Sequence, residues 1–222
     1  MIQASATSVV APSTLDYYLL GPAAPVGLLV EEFELADDLS ATRLRTAGWT
    51  PADGGWWSAA AFARAVRADP DVRARVRAVT RADAEETYRR LGGGMLPDDD
   101  ALRDHFRDDV PLAASAPLRL GFGPAVHRVL FAGDLDAERL TDLRAALRLD
   151  GGTDPGVVGT GRLHLDGTAL RWDLRRVGGG VAWCLDVTAE PLDREALRPL
   201  LHRLTGVVRH HGLVPATIEC FA

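Results

Sequence analysis

Polar and apolar residues alternate in three consecutive segments between positions 159 and 190, and this pattern predicts the centre of a β-sheet. The alternating segments are Arg162–Leu165, Arg171–Arg175 and Trp183–Thr188. A period of two is typical of half-buried antiparallel strands. The Asp166-Gly167 pair is a strong two-residue hairpin turn, because a type I′ turn requires positive φ at both central positions. Three glycines at 178–180 supply a second turn.

The two turns assign each side chain to a face of this sheet. A Gly179-Gly180 loop places Leu174 opposite Leu185, which keeps one face apolar, whereas a three-residue loop would mix the faces. The apolar face then carries Leu163, Leu165, Leu170, Trp172, Leu174, Leu185 and Val187. The opposite face, called the charged sheet face below, carries Arg162, His164, Arg171, Asp173, Arg175, Cys184, Asp186 and Thr188.

The segments flanking these strands complete a larger α+β unit over residues 118–222. A strand is expected at Val126–Ala132, followed by a helix capped by Asp134 or Asp136. Asp193 begins a second helix with a continuous leucine stripe, and a last strand follows it. The resulting order, β-α-β-β-β-α-β, resembles a ferredoxin-like sheet with one additional strand. Two helices on one face would explain why that face is apolar.

Residues 15–110 are expected to form a smaller α+β unit, after a flexible tail at 1–14 and before a linker at 111–117. Strands are predicted at 15–20 and 27–35, and the acidic residues Glu31, Glu32 and Glu34 suggest a solvated outer face on the second. Pro70 begins a helix that valines at 72, 76 and 79 extend at helical spacing. The remaining predicted helices begin after Ser58, Thr80 and Met95–Pro97.

Two tryptophans, Trp56 and Trp57, lie in an aromatic segment that we expect to be a turn-rich loop between strands and helices. If exposed, they suggest a surface for a ligand or a partner. The alternative is that they seal the junction between a strand and a helix, which is the more common role of tryptophan.

Composition restricts the class of protein. The chain has 222 residues and a net charge of −6, which argues against a dedicated nucleic-acid binder. All 25 basic residues are arginine, a usage that resembles a high-GC, actinobacterial genome. No secretory signal or membrane span is recognisable, and two cysteines do not make a disulfide framework. We therefore expect a bacterial cytoplasmic protein.

No catalytic or cofactor motif is present. The chain lacks a Walker A loop, G-x-S-x-G, H-E-x-x-H and any cysteine–histidine cluster with zinc spacing. The Gly121-Phe122-Gly123 sequence has no third glycine at the required position, and Pro124 would break the turn-to-helix geometry. We therefore expect no cofactor and no metal.

Two functional hypotheses remain. The first is a binding or accessory protein that presents the charged sheet face and the aromatic segment to a small ligand, a protein partner or a second copy of the chain. Its candidate binding residues are Arg171, Arg175, Cys184, Trp56 and Trp57. The second is a small cofactor-independent enzyme that uses an acid–base cluster of Asp173, Asp186 and His164.

The directly opposed carboxylates of Asp173 and Asp186 need some compensation for their repulsion. A raised pKa on one of them, an arginine reaching between them, or a bound cation would provide it. We expect the mixed aspartates and arginines to form a solvated, structural lattice of ion pairs rather than a reactive cluster. Coverage of the charged sheet face by the N-terminal unit would favour the enzyme, and an open face would favour binding.

Overall fold

The structure is a computed structural model that describes residues 15–112, 124–152, 154, 156–178 and 182–221. Within these ranges the chain is a mixed α+β protein with two antiparallel six-stranded sheets, six α-helices and one 3-10 helix. The predicted tail and most of the predicted linker lie outside the described residues. No helix in the described ranges is both long and apolar enough to cross a membrane.

The N-terminal sheet has the strand order β4-β3-β2-β1-β5, with β6 paired to β3. Its strands are β1 (Asp16–Leu20), β2 (Gly27–Leu35), β3 (Ala41–Thr50), β4 (Gly55–Ser58), β5 (Val76–Val79) and β6 (Asp109–Pro111). Its helices are α1 (Ala60–Ala68), α2 (Pro70–Arg73), α3 (Arg81–Arg90) and α4 (Asp99–Arg103). Each face of this sheet is buried in a separate hydrophobic cluster.

The predicted extension of the Pro70 helix is wrong. The helix α2 ends at Arg73, and the following valines form the edge strand β5, which pairs antiparallel with β1. Val76 and Val79 are packed in different hydrophobic clusters, on opposite faces of the sheet. The strand β5 has only four residues, Val-Arg-Ala-Val, which is too short for a clear period-two signal, so the spacing of the valines resembled that of a helix.

The C-terminal sheet has the strand order β12-β7-β11-β10-β9-β8, and every neighbouring pair is antiparallel. Its strands are β7 (Val126–Ala132), β8 (Asp150–Gly151), β9 (Val157–Leu165), β10 (Thr168–Val177), β11 (Ala182–Glu190) and β12 (Val214–Phe221). Helices α5 (Ala137–Ala146) and α6 (Arg194–His210) complete the unit. The ferredoxin-like assignment of this sheet stays a prediction.

The predicted register of the central strands is confirmed. Trp172 pairs with Val187 and Leu174 pairs with Leu185, although the turn at 179–180 lies outside the described residues. These four side chains are buried in one hydrophobic core with leucines of α5 and α6.

The apolar face extends beyond this core at the β9–β10 hairpin. Leu163 pairs with the buried Leu170 and therefore shares its face, as predicted. Nevertheless, Leu163 is 37% exposed and Leu165 is 44% exposed. The hairpin end thus projects past the hydrophobic core.

The N- and C-terminal units are packed against one another and share hydrophobic cores. Leu39 and Ala41 from the N-terminal part of the chain are buried in the core of the C-terminal sheet. In return, Val214 of β12 is buried in the cluster that contains Tyr18 and Leu29. The contacts run mainly through α6 and β12, which lie next to β5, α1 and β3.

Candidate functional site

The charged sheet face of the C-terminal unit bears a shallow depression of about 460 Å³. Its charged lining includes Arg162, His164, Arg171, Asp173, Arg175 and Glu190. These residues come from β9, β10 and β11, whose alternation points them to the same side of the sheet.

Asp186 is held by two arginines. Arg128 on the neighbouring strand β7 donates two hydrogen bonds to its carboxylate, from Nε at 2.7 Å and from Nη2 at 2.8 Å. Arg175 Nε forms a further ion pair with Asp186 at 3.4 Å. The hydrogen bonds to Asp186 raise the pKa of the Arg128 guanidinium above its usual range. Arg128 is thus the central partner of Asp186, and the sequence analysis did not identify it.

Asp173 lies directly opposite Asp186, as the sequence predicts, but it has different partners. Its Oδ1 accepts a hydrogen bond from Thr160 Oγ1 at 2.6 Å and two from Arg171, at 3.1 and 3.2 Å. Each carboxylate of the opposed pair therefore has arginine as its counter-ion. No cluster of three or more His, Cys, Asp or Glu side chains that could hold a metal ion occurs in the described residues.

The other two reactive side chains predicted on the charged sheet face are His164 and Cys184. His164 is exposed on β9, and in the part of the chain that the structure describes no hydrogen bond joins it to Asp173 or Asp186. Cys184 is fully buried, and this burial raises the pKa of its thiol to about 12. The thiol is therefore protonated near neutral pH and is a poor nucleophile there.

Two arginines of the depression face one another directly. Arg162 on β9 pairs with Arg171 on β10, and like charges in this arrangement repel. Arg171 is bonded to Asp173, whereas Arg162 is exposed and has no ion pair among the described residues. The described lining of the depression has three arginines and three acids in total, so the guanidinium of Arg162 gives a local positive charge rather than a net excess.

No described residue of the N-terminal unit lines the depression. Among the described residues, all of those that line it lie between Pro124 and Glu190, and none belongs to residues 15–112. The discriminating observation named above thus favours binding over a water-poor catalytic cleft.

The aromatic segment is a β-hairpin rather than the loop that the sequence predicts, and it belongs to the other sheet. Trp56 and Trp57 both lie on β4, which pairs with the end of β3. Trp56 stacks on Tyr88 and on His105, with ring centroids 5.9 and 5.7 Å away. The structure therefore does not place these tryptophans with the cluster on the charged sheet face.

Trp57 is packed against the backbone of the neighbouring strand. A Cβ atom added to Gly48 would lie 2.3 Å from the ring of Trp57, so only glycine fits there. Trp57 also has an edge contact with Phe62 on α1, at 6.3 Å between centroids. Both tryptophans are half-buried, an arrangement that agrees with the alternative of a sealed strand–helix junction.

A buried ionic cluster between the two units was missed by the sequence analysis. Asp16 and Glu31 are neighbours across β1 and β2. Arg67 on α1 donates hydrogen bonds of 3.0 and 2.9 Å to Glu31, and Arg209 on α6 forms an ion pair of 3.0 Å with Asp16. Glu31 is only 1% exposed, so its assignment to a solvated face is wrong.

Comparison of the chain with protein-family models, with curated proteins and with solved structures found no match.

Proposed function

We propose that this protein is a non-catalytic binding or accessory protein whose charged sheet face holds a small ligand or a partner through an anionic group. The observation that carries this proposal is the direct opposition of Arg162 and Arg171 beside an open depression. The repulsion between two facing guanidinium groups is offset when both bind the same anion.

The chemistry of the depression supports an anion of carboxylate or phosphate type. Guanidinium groups bind such planar or tetrahedral oxyanions through two parallel hydrogen bonds. Arg162 has no ion pair among the described residues, and Arg171 is bonded to Asp173. Arg175 and His164 lie in the same depression, where Arg175 adds positive charge and a ring nitrogen of His164 can form a hydrogen bond. Asp173 provides an acceptor for a donor group on the same ligand.

The enzyme hypothesis is less well supported. Asp173 and Asp186 are both ion-paired with arginines, which is the arrangement of a structural ion-pair lattice. His164 is exposed and has no hydrogen bond to either carboxylate among the described residues. We therefore assign positioning and charge balance to the two carboxylates.

The cellular setting of this proposal rests on composition alone. The all-arginine basic residues suggest a bacterial, actinobacterial-like source, and the two unpaired thiols suit the cytoplasm. We also infer that the C-terminal unit is a ferredoxin-like sheet with additional strands. The element order β7-α5-β8-β9-β10-β11-α6-β12, in which β8 and β9 lie between α5 and β10, supports this inference.

Isothermal titration calorimetry with inorganic phosphate, acetate and citrate tests the proposed function. We expect at least one of these anions to bind, and we expect Arg162→Ala to weaken its binding about tenfold, the value of one charge-assisted hydrogen bond. Arg203→Ala removes an exposed arginine of α6 outside the depression and serves as the matched control. Unchanged anion binding in Arg162→Ala would exclude a small anionic ligand at the charged sheet face.

Sedimentation velocity of the same three proteins distinguishes a ligand from a second copy of the chain. Self-association that is lost in Arg162→Ala but kept in Arg203→Ala would identify a second subunit as the occupant of the charged sheet face. If neither anions nor self-association depend on Arg162, the proposed function is wrong.

A further inference from the structure

A second cavity, of about 240 Å³, lies between the N-terminal sheet and the elements α6 and β12. Its apolar walls are Phe33 and Leu35 of β2, Leu201 of α6 and Ile218 of β12. The cavity therefore forms only where the two units meet, and it is separate from the charged sheet face.

The two ends of this cavity differ in character. Arg198 and His202 of α6 line it and are exposed to solvent, so they mark its mouth. Asp16 and Thr205 also line it but are buried, so they mark its inner end. A molecule that enters at Arg198 and His202 would therefore pass apolar walls before it meets polar atoms.

The inner end contains a hydrogen-bonding group without a partner. Thr205 is 6% exposed, and its Oγ1 has no hydrogen-bond partner in the part of the chain that the structure describes. Buried hydroxyl groups are nearly always hydrogen-bonded, because an unsatisfied one costs free energy. The hydroxyl of Thr205 can both donate and accept, so a ligand with either function would satisfy it.

The charges around the inner end offset one another. Asp16 forms its ion pair with Arg209 at 3.0 Å, and the adjacent Glu31 is bonded to Arg67. Glu32 also lines the cavity and forms an ion pair of 2.8 Å with Arg103, so each of these three acids has an arginine partner and no net charge remains. An additional buried charge would be unpaired there and would pay a desolvation cost. The inner end therefore fits an uncharged polar group.

We propose that this cavity between the two units binds a small, mainly apolar molecule that carries one uncharged hydroxyl group, with Thr205 as its hydrogen-bond partner. The volume is sufficient, since a cavity of about 150 Å³ lined by Leu, Ile and Phe already holds benzene. The apolar body lies against Phe33, Leu35, Leu201 and Ile218, and the hydroxyl reaches Thr205. This site is independent of the anion site proposed above.

Isoleucine methyl NMR provides a direct test, because the chain has only two isoleucines, Ile2 and Ile218. Ile218 lines the cavity, and Ile2→Val removes the other isoleucine resonance, which assigns the remaining one to Ile218. The probes are benzyl alcohol, toluene, benzoate and benzylamine, which share one ring and differ in the attached group. We expect benzyl alcohol to shift the Ile218 δ1-methyl resonance at a lower concentration than the other probes do. The charged probes, benzoate and benzylamine, should require the highest concentrations or leave the resonance unshifted.

Thr205→Val tests the role of the hydroxyl without a change in side-chain volume. We expect it to weaken benzyl alcohol binding about fivefold, as the loss of one neutral hydrogen bond predicts, and to leave toluene binding unchanged. Thr141→Val, which removes an exposed hydroxyl on α5, should bind all four probes as the wild type does. The Ile218 resonance of each variant without probe also reports whether the cavity is intact.

Three outcomes would overturn this inference. The first is that none of the probes shifts the Ile218 resonance up to its solubility limit. The second is equal affinity for toluene and benzyl alcohol, and the third is unchanged benzyl alcohol binding in Thr205→Val. Arg162→Ala should leave probe binding unaltered, so failure at this cavity and failure at the charged sheet face are distinguishable.

Discussion

At the scale of single residues, Asp173 and Asp186 show how two identical groups in facing positions acquire different roles. Both are 8% exposed and they are neighbours across β10 and β11. Asp186 accepts two hydrogen bonds from Arg128, whose side chain is largely shielded from solvent, whereas Asp173 depends on Thr160 and on the more exposed Arg171. Ion pairs with exposed arginines contribute little to stability, because water competes for both partners.

We therefore expect the same substitution to have unequal effects at these two positions. Asp186→Asn should lower the free energy of unfolding by about 2 kcal/mol, since it weakens charge-assisted bonds to a partly buried arginine. Asp173→Asn should change it by less than about 1 kcal/mol, because Asn still accepts from Thr160 and the opposed charges no longer repel. Urea unfolding of both variants measures the difference. Equal losses of unfolding free energy in the two variants would mean that Arg128 does not stabilise Asp186 more than Arg171 and Thr160 stabilise Asp173.

At the scale of elements, α6 connects the two sheets. Its leucines are buried in the core of the C-terminal sheet, while Arg209 in its last turn reaches Asp16 of β1. The opposite face of the helix bears exposed residues such as Arg203. The helix therefore packs against the C-terminal sheet through apolar side chains and contacts the N-terminal sheet through an ion pair. Its position determines how the two units meet.

Leu204 is at the centre of the apolar stripe of α6 and is 4% exposed. Leu204→Ala should reduce the free energy of unfolding by about 2–5 kcal/mol, because it leaves a cavity in the main core. Arg203→Ala, at the adjacent exposed position, should change it by no more than about 0.5 kcal/mol. Denaturant melts followed by circular dichroism compare the two. A cost below about 1 kcal/mol for Leu204→Ala would show that α6 is peripheral to the core.

At the scale of the whole molecule, a histidine links the two units. His127 on β7 is buried, and its Nε2 lies 2.8 Å from the backbone oxygen of Asp38 in the N-terminal unit. The other ring nitrogen, Nδ1, has no hydrogen-bond partner in the described part of the chain. Burial lowers the pKa of His127 below its ordinary value, against the opposing effect of Asp38.

This lowered pKa makes the junction sensitive to acid. The unfolded chain takes up a proton at the ordinary histidine pKa, and the folded protein does so only at lower pH. The contribution of His127 to the free energy of unfolding is therefore complete above about pH 6.5. It is lost as the pH falls through the lower pKa of the folded protein. We expect wild type to lose more unfolding free energy than His127→Gln between about pH 8 and about pH 5.5.

His202→Gln is the matched control for this pH dependence, because His202 is exposed on α6. Its unfolding free energy should follow that of wild type across the same pH range. Urea melts at both pH values provide the comparison. If His127→Gln and wild type lose equal free energy on acidification, then protonation of His127 does not control the junction.

Local sequence signals were sufficient to predict the register of the central strands and the first residues of most helices. The register of β9, β10 and β11 depends on residue alternation and on turns of a few residues, so it is encoded within about 30 positions. The helix caps at Thr80, Asp136 and Asp193 are equally local, since each side chain accepts from a backbone N–H two or three residues later. Ser58 is the exception, because it lies on β4 and its hydroxyl bonds to Asp108 instead.

Tertiary structure alone decided the environment of the charged residues. Arg128 and Asp186 are 58 positions apart, and Arg67 and Glu31 are 36 apart, so no local pattern pairs them. Glu31 and Glu34 look alike in the sequence of β2, yet one is buried beneath α1 and the other is exposed. Whether a charge is solvated, paired or buried depends on which distant surface packs over it. The sequence of one strand therefore specifies its faces, and only the packing of the whole chain specifies what each face contacts.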